Sequence, residues 1–207
     1  MLSFKYQKRI LDVFTALTLM ILFLPIWIII PILIFIKSGM PIFFTHRRVG
    51  KNGVEFDLLK FRSMVKGADK LLHNHNKKLL KKFKDNDWKL ENDPRITTLG
   101  KVLRSLTIDE FPQILNVLRG EMSMVGPRAY VKKELQEQTK KYPNTKKFVK
   151  QILSVKPGIT GPWQTSGRNE ISFKIRARMD ADYASKKSIW EDIKILFKTP
   201  QAMISKW

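Results

Sequence analysis

The chain of 207 residues carries 39 Lys and Arg against 18 Asp and Glu, a formal charge of +21, with 43% hydrophobic residues and no cysteine. That length suits one compact domain with an appendage and argues against two full domains, and the missing cysteines exclude disulfides and thiolate metal sites and fit a reducing compartment. The charge favours a polyanionic partner, whether nucleic acid, anionic bilayer or phosphorylated substrate, without choosing among them.

From Val13 to Ile36 no side chain is charged. As one helix this run is about 36 Å long, enough for a hydrocarbon core of about 30 Å. Pro25 and Pro31 interrupt it, and each removes a backbone donor and crowds the preceding turn, so a bend is expected near Pro25. Lys5, Lys8 and Arg9 precede the run and Lys37, Arg47, Arg48 and Lys51 follow it, which marks both flanks as cytoplasmic. A re-entrant helix that enters and returns on one face satisfies both observations. A spanning helix kinked at Pro25 and a buried core helix are the alternatives, while a signal peptide has a shorter apolar run and a small-residue cleavage pattern. The chain therefore divides into an N-terminal membrane anchor over 1–40 and a cytoplasmic domain over 41–207.

Pro41 to His46 and Val54 to Phe61 read as two β-rich runs around Gly50-Lys51-Asn52-Gly53, whose Asn-Gly step signals a hairpin. Lys66 to Glu91 interleaves lysines with Leu71, Leu72, Leu79, Leu80 and Phe83, the pattern of a basic amphipathic helix, either solvated or lying on a membrane surface. His73 and His75 fall on different sides of such a helix, which argues against a metal site. Leu99, Val102, Leu103 and Leu106 form the stripe of a helix over 96–106. A second helix is expected from Asp109 to Leu118, with Pro112 in its first turn, Asp109 or Thr107 as N-cap and Gly120 as C-terminal cap. The stretch from Ile189 to Trp207 is amphipathic, with Trp190, Ile193, Leu196 and Phe197 against Glu191, Lys194 and Lys198. The fold class is α+β and mainly helical, with a small hairpin and amphipathic interfacial helices around a compact catalytic core.

Asp109 and Glu110 are the most informative pair. At a helix N-terminus, backbone N–H groups and the macrodipole draw anions to one spot. One carboxylate can then attack phosphorus while its neighbour holds a hard divalent cation; the plain alternative is a helix cap. Arg95, Arg104, Arg119, Arg128 and Arg168 lie in stretches rich in Gly and Pro, where planar bidentate donors suit phosphate. Gly126-Pro127-Arg128 and Pro157-Gly158-Ile159-Thr160-Gly161-Pro162 are stiff loops of small bulk that let the backbone approach a ligand, unless they are ordinary turns.

Thr107-Ile108-Asp109-Glu110-Phe111-Pro112-Gln113, then Asn116-Val117-Leu118-Arg119-Gly120 and Met122-Ser123-Met124-Val125-Gly126-Pro127-Arg128, resemble the bacterial sugar transferase, or monotopic phosphoglycosyl transferase, family. The resemblance continues through Lys60-Phe61-Arg62-Ser63-Met64, Asp93-Pro94-Arg95-Ile96-Thr97 and Pro157 to Gly161, with Gln164, Gly167, Arg168, Asp180, Tyr183 and Asp192 to Leu196. Lys8-Arg9-Ile10-Leu11-Asp12 fits the family's anchor, so the likeness spans nearly the whole chain in its short, catalytic-core form.

The resemblance implies a ping-pong reaction at the cytoplasmic face of the bacterial cytoplasmic membrane. Asp109 attacks the sugar-bearing phosphorus of a UDP-sugar and releases UMP, and undecaprenyl phosphate then takes the sugar phosphate, which begins a glycan repeat unit. Asp109 and Glu110 are the catalytic and Mg2+-binding pair. Arg62, Arg95, Arg128 and Arg168 are the candidate phosphate and nucleotide contacts, and Gly126, Pro127, Gly158, Thr160, Gly161, Gln164, Asp180 and Tyr183 complete the expected substrate site. Lys8, Arg9, Asp12 and Pro25 belong to the anchor. The implied donor sugar is galactose or glucose; the partners are donor, lipid acceptor and bilayer, with no nucleic acid and a homodimer left open. The sequence departs from the family at Leu24-Pro25, where Ser-Pro is frequent, at Ala129, where a second proline is usual, and at His46, where many members have Gln. A membrane-tethered basic binding protein and a glycosyltransferase leaving UDP are the competing functions.

Overall fold

The computed structural model describes residues 3–74, 80–81, 83, 90, 93–167 and 171–203. Two N-terminal helices, α1 (Phe4–Leu22) and α2 (Leu24–Ser38), meet at Phe23 with a bend of 64°. Phe23 still donates to Leu19 O, but its dihedrals of −104° and 26° leave the helix, and Pro25 sits in the first turn of α2. The expected bend therefore forms without a serine at the break, because proline alone removes the donor and crowds the carbonyl four residues back. Pro31 is accommodated inside α2. No single helix among the described residues is long and apolar enough to cross a membrane, whereas the bent pair together is.

The pair is apolar on both sides. Ile30 and Ile34 turn inward onto Phe61 and Leu103, with Trp27, Ile108 and Phe111 packed around them. Phe14, Ile21, Leu22, Leu24, Ile28, Ile32, Phe35 and Ile36 are exposed, a larger apolar patch than a water-facing surface ordinarily carries.

Strands β1 (Phe43–Val49) and β2 (Glu55–Phe61) form an antiparallel hairpin in the register Phe43 to Phe61 and Val49 to Glu55. The first strand runs three residues past the expected end at His46, because the register set by the turn carries pairing up to Val49. Asn52 and Gly53 take φ of 58° and 79°, the left-handed pair that an Asn-Gly step supplies cheaply. Helix α3 (Ala68–Asn74) opens the basic stretch. Half of 66–91, with the His73 side chain and His75, lies outside the described residues, so the expected amphipathic helix is described only in part and the metal argument rests on sequence alone.

Helix α4 (Thr98–Ser105) is capped by Thr97, whose Oγ1 accepts from Gly100 N at 2.9 Å. Of its expected stripe, Leu103 is buried while Val102 and Leu106 are exposed, since only one edge of this short helix meets α2. The expected helix from Asp109 is instead a 3-10 turn, Ile108–Glu110, followed by α5 (Gln113–Leu118). Pro112 has no N–H to return to Ile108, so Glu110 and Phe111 close onto carbonyls three residues back. Thr107 is no side-chain cap; it stands at φ 59° and donates its hydroxyl to Met203 O at 2.9 Å.

Downstream come β3 (Ser123–Val125), α6 (Lys132–Lys141), α7 (Lys146–Ile152), β4 (Gly158–Thr160), α8 (Phe173–Lys186) and α9 (Ile189–Met203). The two stiff loops are thus not merely turns, because β3 and β4 pair in parallel, Ser123 with Gly158 and Val125 with Thr160. A Cβ on Gly158 would lie 2.1 Å from Gly126 N, and one on Gly161 2.2 Å from Gly126 O, so the crossing admits only glycine there. On α9 the buried residues are Asp192 and Ile195, with Trp190 and Phe197 outside. The expected stripe is displaced because Asp192 pairs with Lys8 of α1.

Lys8, Arg9 and Asp12 bolt the anchor to the domain. Asp12 accepts from Ser123 Oγ and Met124 N at 2.8 and 2.9 Å; Lys8 donates to Val125 O and Asp192 at 3.0 and 2.7 Å. Arg9 donates to the last carbonyls of α5, Val117 O and Leu118 O, at 2.6 and 2.8 Å. Asn116, fully buried, accepts from Leu59 N and donates to Asp57 O and Glu121, fixing β2 against α5.

Candidate active site

Asp109 is 5% exposed in its 3-10 turn, and Glu110 beside it is half-buried. Lys60 of β2 reaches both, its Nζ 2.6 Å from Glu110 Oε1 and 3.6 Å from Asp109 Oδ2. Burial pushes the Asp109 carboxyl above its ordinary range and the Glu110 charge adds to this, while Lys60 and Arg104 oppose. Arg104 is aimed by Ser63, to whose hydroxyl its Nε donates at 3.0 Å. The ring of Phe111, next in sequence, packs edge-on against Phe23 at the helix break, 5.3 Å between centroids. The acidic pair therefore lies against the bend of the apolar helices.

The hairpin brings a second set of groups to the same place. Alternation puts His46 and Arg48 on the face of the sheet that also carries Lys60, since their partners across the ladder are Leu58 and Phe56. Arg48 donates from Nη1 to Ala129 O at 3.0 Å and from Nη2 to His46 Nδ1 at 3.1 Å. Burial, then the charges of Arg48, Lys60 and Arg128, hold the His46 ring down to about 3. Arg128 is placed by its own backbone N–H, which donates to Asp180 Oδ2 at 3.1 Å, and by Trp163, whose ring lies 5.4 Å from the guanidinium. Arg176 faces Trp163 and Tyr130 at 5.3 and 5.7 Å, with Glu134 at 3.8 Å. Burial raises Asp180 to about 7, against the pull of Arg176 and Arg128.

The other expected residues are distributed unevenly. Arg62 donates to Ser38 O and Gly39 O at 2.7 and 2.6 Å, capping α2. Arg95 forks onto Asp93, with Nε and Nη2 at 2.8 and 2.6 Å. Both guanidiniums thus spend donors on internal partners. Gly126, Pro127, Gly158 and Gly161 build the β3–β4 crossing that carries Arg128, and the Thr160 hydroxyl meets that of Thr199 at 2.8 Å. Gln164 Nε2 donates to Ile159 O at 3.5 Å, and Arg168 lies outside the described residues. Tyr183 sits in the Lys8–Asp192 network rather than beside the dyad, its hydroxyl donating to Asp192 at 2.5 Å. Lys60, Arg48 and His46 were not assigned from the sequence, although the period of two along a hairpin extended to Val49 places them on one face.

Among the described residues no three His, Cys, Asp or Glu side chains gather as a metal cage. Two adjacent hard carboxylates do fit Mg2+, which takes one or two such ligands and completes its shell with phosphate and water. Asp109 and Glu110 would hold it.

Sequence relatives align over nearly the whole chain. The Exopolysaccharide production protein ExoY of Rhizobium meliloti is 40% identical over 95% of this chain and 84% of its own length. The UDP-galactose-lipid carrier transferase of Erwinia amylovora is 41% identical over 95% of this chain and 40% of its own. The Undecaprenyl-phosphate galactose phosphotransferase of Salmonella typhimurium is 37% identical over 98% and 41%. The chain thus spans most of ExoY and about two fifths of the two longer transferases. With the bacterial sugar transferase model matching residues 3–206, the chain belongs to the bacterial sugar transferase family.

Proposed function

We propose that the chain moves a hexose 1-phosphate, galactose or glucose, from its UDP-sugar to undecaprenyl phosphate at the cytoplasmic face of the membrane, and so begins an exopolysaccharide repeat unit. The observation that carries this reading is a buried Asp109 beside Glu110 and Lys60, packed through Phe111 against the apolar helix break. The names of the relatives, with galactose and undecaprenyl phosphate in them, support the substrate classes.

The Asp109 carboxylate attacks the sugar-bearing phosphorus, and the bond from that phosphorus to the bridging oxygen breaks. UMP leaves with the oxygen, and the sugar phosphate remains esterified to Asp109. A phosphate oxygen of the polyprenol carrier then attacks the same phosphorus, frees the carboxylate and yields the sugar on a lipid diphosphate. Lys60 and Arg104 favour the ionised nucleophile, and Arg128 supplies charge at the transferred group. Bound Mg2+ would screen the donor's phosphates. The bent helices would enter and leave on the cytoplasmic face, keeping the dyad at headgroup depth, where the lipid phosphate lies.

The experiment is nucleotide analysis with protein in nanodiscs, Mg2+, polyprenol phosphate and a panel of UDP-sugars. UMP release with a labelled protein intermediate supports the reading. Release of UDP, or normal turnover by Asp109→Asn, overturns it.

A further inference from the structure

We propose that Arg48 is a further binding residue for the donor's diphosphate, and that His46 is the residue that positions it. The inference rests on the phosphosugar transfer proposed above and names groups of that same site. Arg48 projects from β1 on the face shared with Lys60, and its Nη1 holds the carbonyl of Ala129, the residue after Arg128. The strand thereby ties one guanidinium to the loop that bears the other.

Among the described residues Arg48 forms no ion pair; its hydrogen bonds go to a carbonyl and an imidazole, and its Nε is buried with no partner. Burial and then the Arg128 charge bring it down to about 10, while Glu134 and Glu110 pull the other way. Arg48 lies near enough to Arg128 to feel its charge, an arrangement suited to a multiply charged anion. A diphosphate supplies that charge and offers oxygens to both forks. Of the arginines the sequence offered for this task, Arg95 forks onto Asp93, and Arg62 turns its Nη2 to the end of α2.

His46 fixes the direction of the fork. A guanidinium only donates, so Nδ1 of the ring accepts and its hydrogen resides on Nε2. A protonated ring would set an N–H against Arg48 and break the contact, and burial, with the three cations around it, keeps the ring neutral. Any side chain that accepts at this position serves the same purpose, and glutamine, with its amide oxygen, is one.

The test measures UDP affinity by calorimetry and formation of the labelled intermediate from UDP-sugar without acceptor, on full-length protein in nanodiscs. Arg48→Ala and Arg48→Lys are expected to weaken UDP binding about 10- to 100-fold, the worth of charge-assisted hydrogen bonds, and to slow intermediate formation at least as much. His46→Ala should lose about tenfold, one hydrogen bond's worth, and His46→Gln should recover it. Unchanged UDP affinity in the Arg48 variants, with thermal melting like wild type, overturns the proposal; equal losses in His46→Ala and His46→Gln overturn the positioning role. Arg48-dependent UDP binding by a protein that forms no intermediate keeps this site and instead sinks the phosphosugar reading.

Discussion

Lys60 Nζ stands 2.6 Å from Glu110 and 3.6 Å from Asp109, so one ammonium from the hairpin serves two neighbouring acids of the 3-10 turn. Removing it exposes Asp109 to burial and to the Glu110 charge, both of which raise its carboxyl. Since only the ionised carboxylate attacks phosphorus, the acid limb of intermediate formation should move to higher pH in Lys60→Met and stay near wild type in Lys60→Arg. A pH–rate profile of the half-reaction from UDP-sugar decides this, and an unmoved limb in Lys60→Met counts against Lys60 as the counter-charge.

Asp109→Asn should lower UMP release by roughly 10³-fold or more, as expected when a nucleophile is removed. The same change should not destabilise the protein. The folded-state carboxyl is raised, so ionised Asp109 costs stability at neutral pH, and a neutral amide removes that cost. Thermal melting at pH 7.5 should stay level or rise, whereas a marked fall would show that the carboxylate holds the turn together.

Asp180 makes the opposite kind of contribution to pH dependence from a salt-bridged acid. Burial raises it from 3.8 to about 7, so the folded state binds its proton more tightly than the unfolded chain. The stability it confers is complete below about pH 4 and is lost as pH rises through about 7. Asp180→Asn keeps an oxygen to accept from Arg128 N and Tyr130 while losing the titration. Melting temperatures at pH 5 and pH 8 should differ less in this variant than in wild type; an equal difference would assign the titration to another group.

What the sequence disclosed depended on how local each cause was. Pro25 bends its helix and Asn52-Gly53 turns its hairpin through dihedral preferences confined to a few residues. Asp109 and Glu110 were legible because they are adjacent. The 3-10 geometry beneath them was missed because Pro112 acts on the turn before it. Pairing of Ser123–Val125 with Gly158–Thr160 joins three-residue strands separated by two helices, beyond any periodicity. Lys8 and Asp12 looked like the flank of a membrane segment, yet their partners Asp192, Ser123 and Met124 lie more than a hundred residues away. Only tertiary packing brings these partners together.

Asn116 offers a test of how the hairpin is held over the dyad. Its side chain accepts from Leu59 N at 3.0 Å and donates to Asp57 O at 2.8 Å with no exposure to solvent. Asn116→Ala removes the partner of both backbone groups and should cost about 1 to 3 kcal/mol. Lys60 follows Leu59 on the same strand, so the loss should also reach activity. Denaturation in detergent read beside UMP release tests this; a stable variant with full turnover would show that other contacts fix β2.

The helix break supplies the last test, because the 64° bend at Phe23 fits both a broken span and a re-entrant pair. Phe23 packs against Phe111, one residue beyond Glu110, so the bend and the dyad share a contact. Pro25→Ala restores a backbone donor and removes the ring that crowds Ile21, favouring one straight helix over 4–38. In wild type, single cysteines placed at Ser3 and Lys51 should both resist an impermeant thiol reagent applied outside intact cells. In Pro25→Ala one of the two should become reactive, with UMP release falling as Phe23 is drawn from Phe111. Labelling of either position in the wild-type protein would instead establish a spanning helix and remove the dyad's proposed depth at the headgroups.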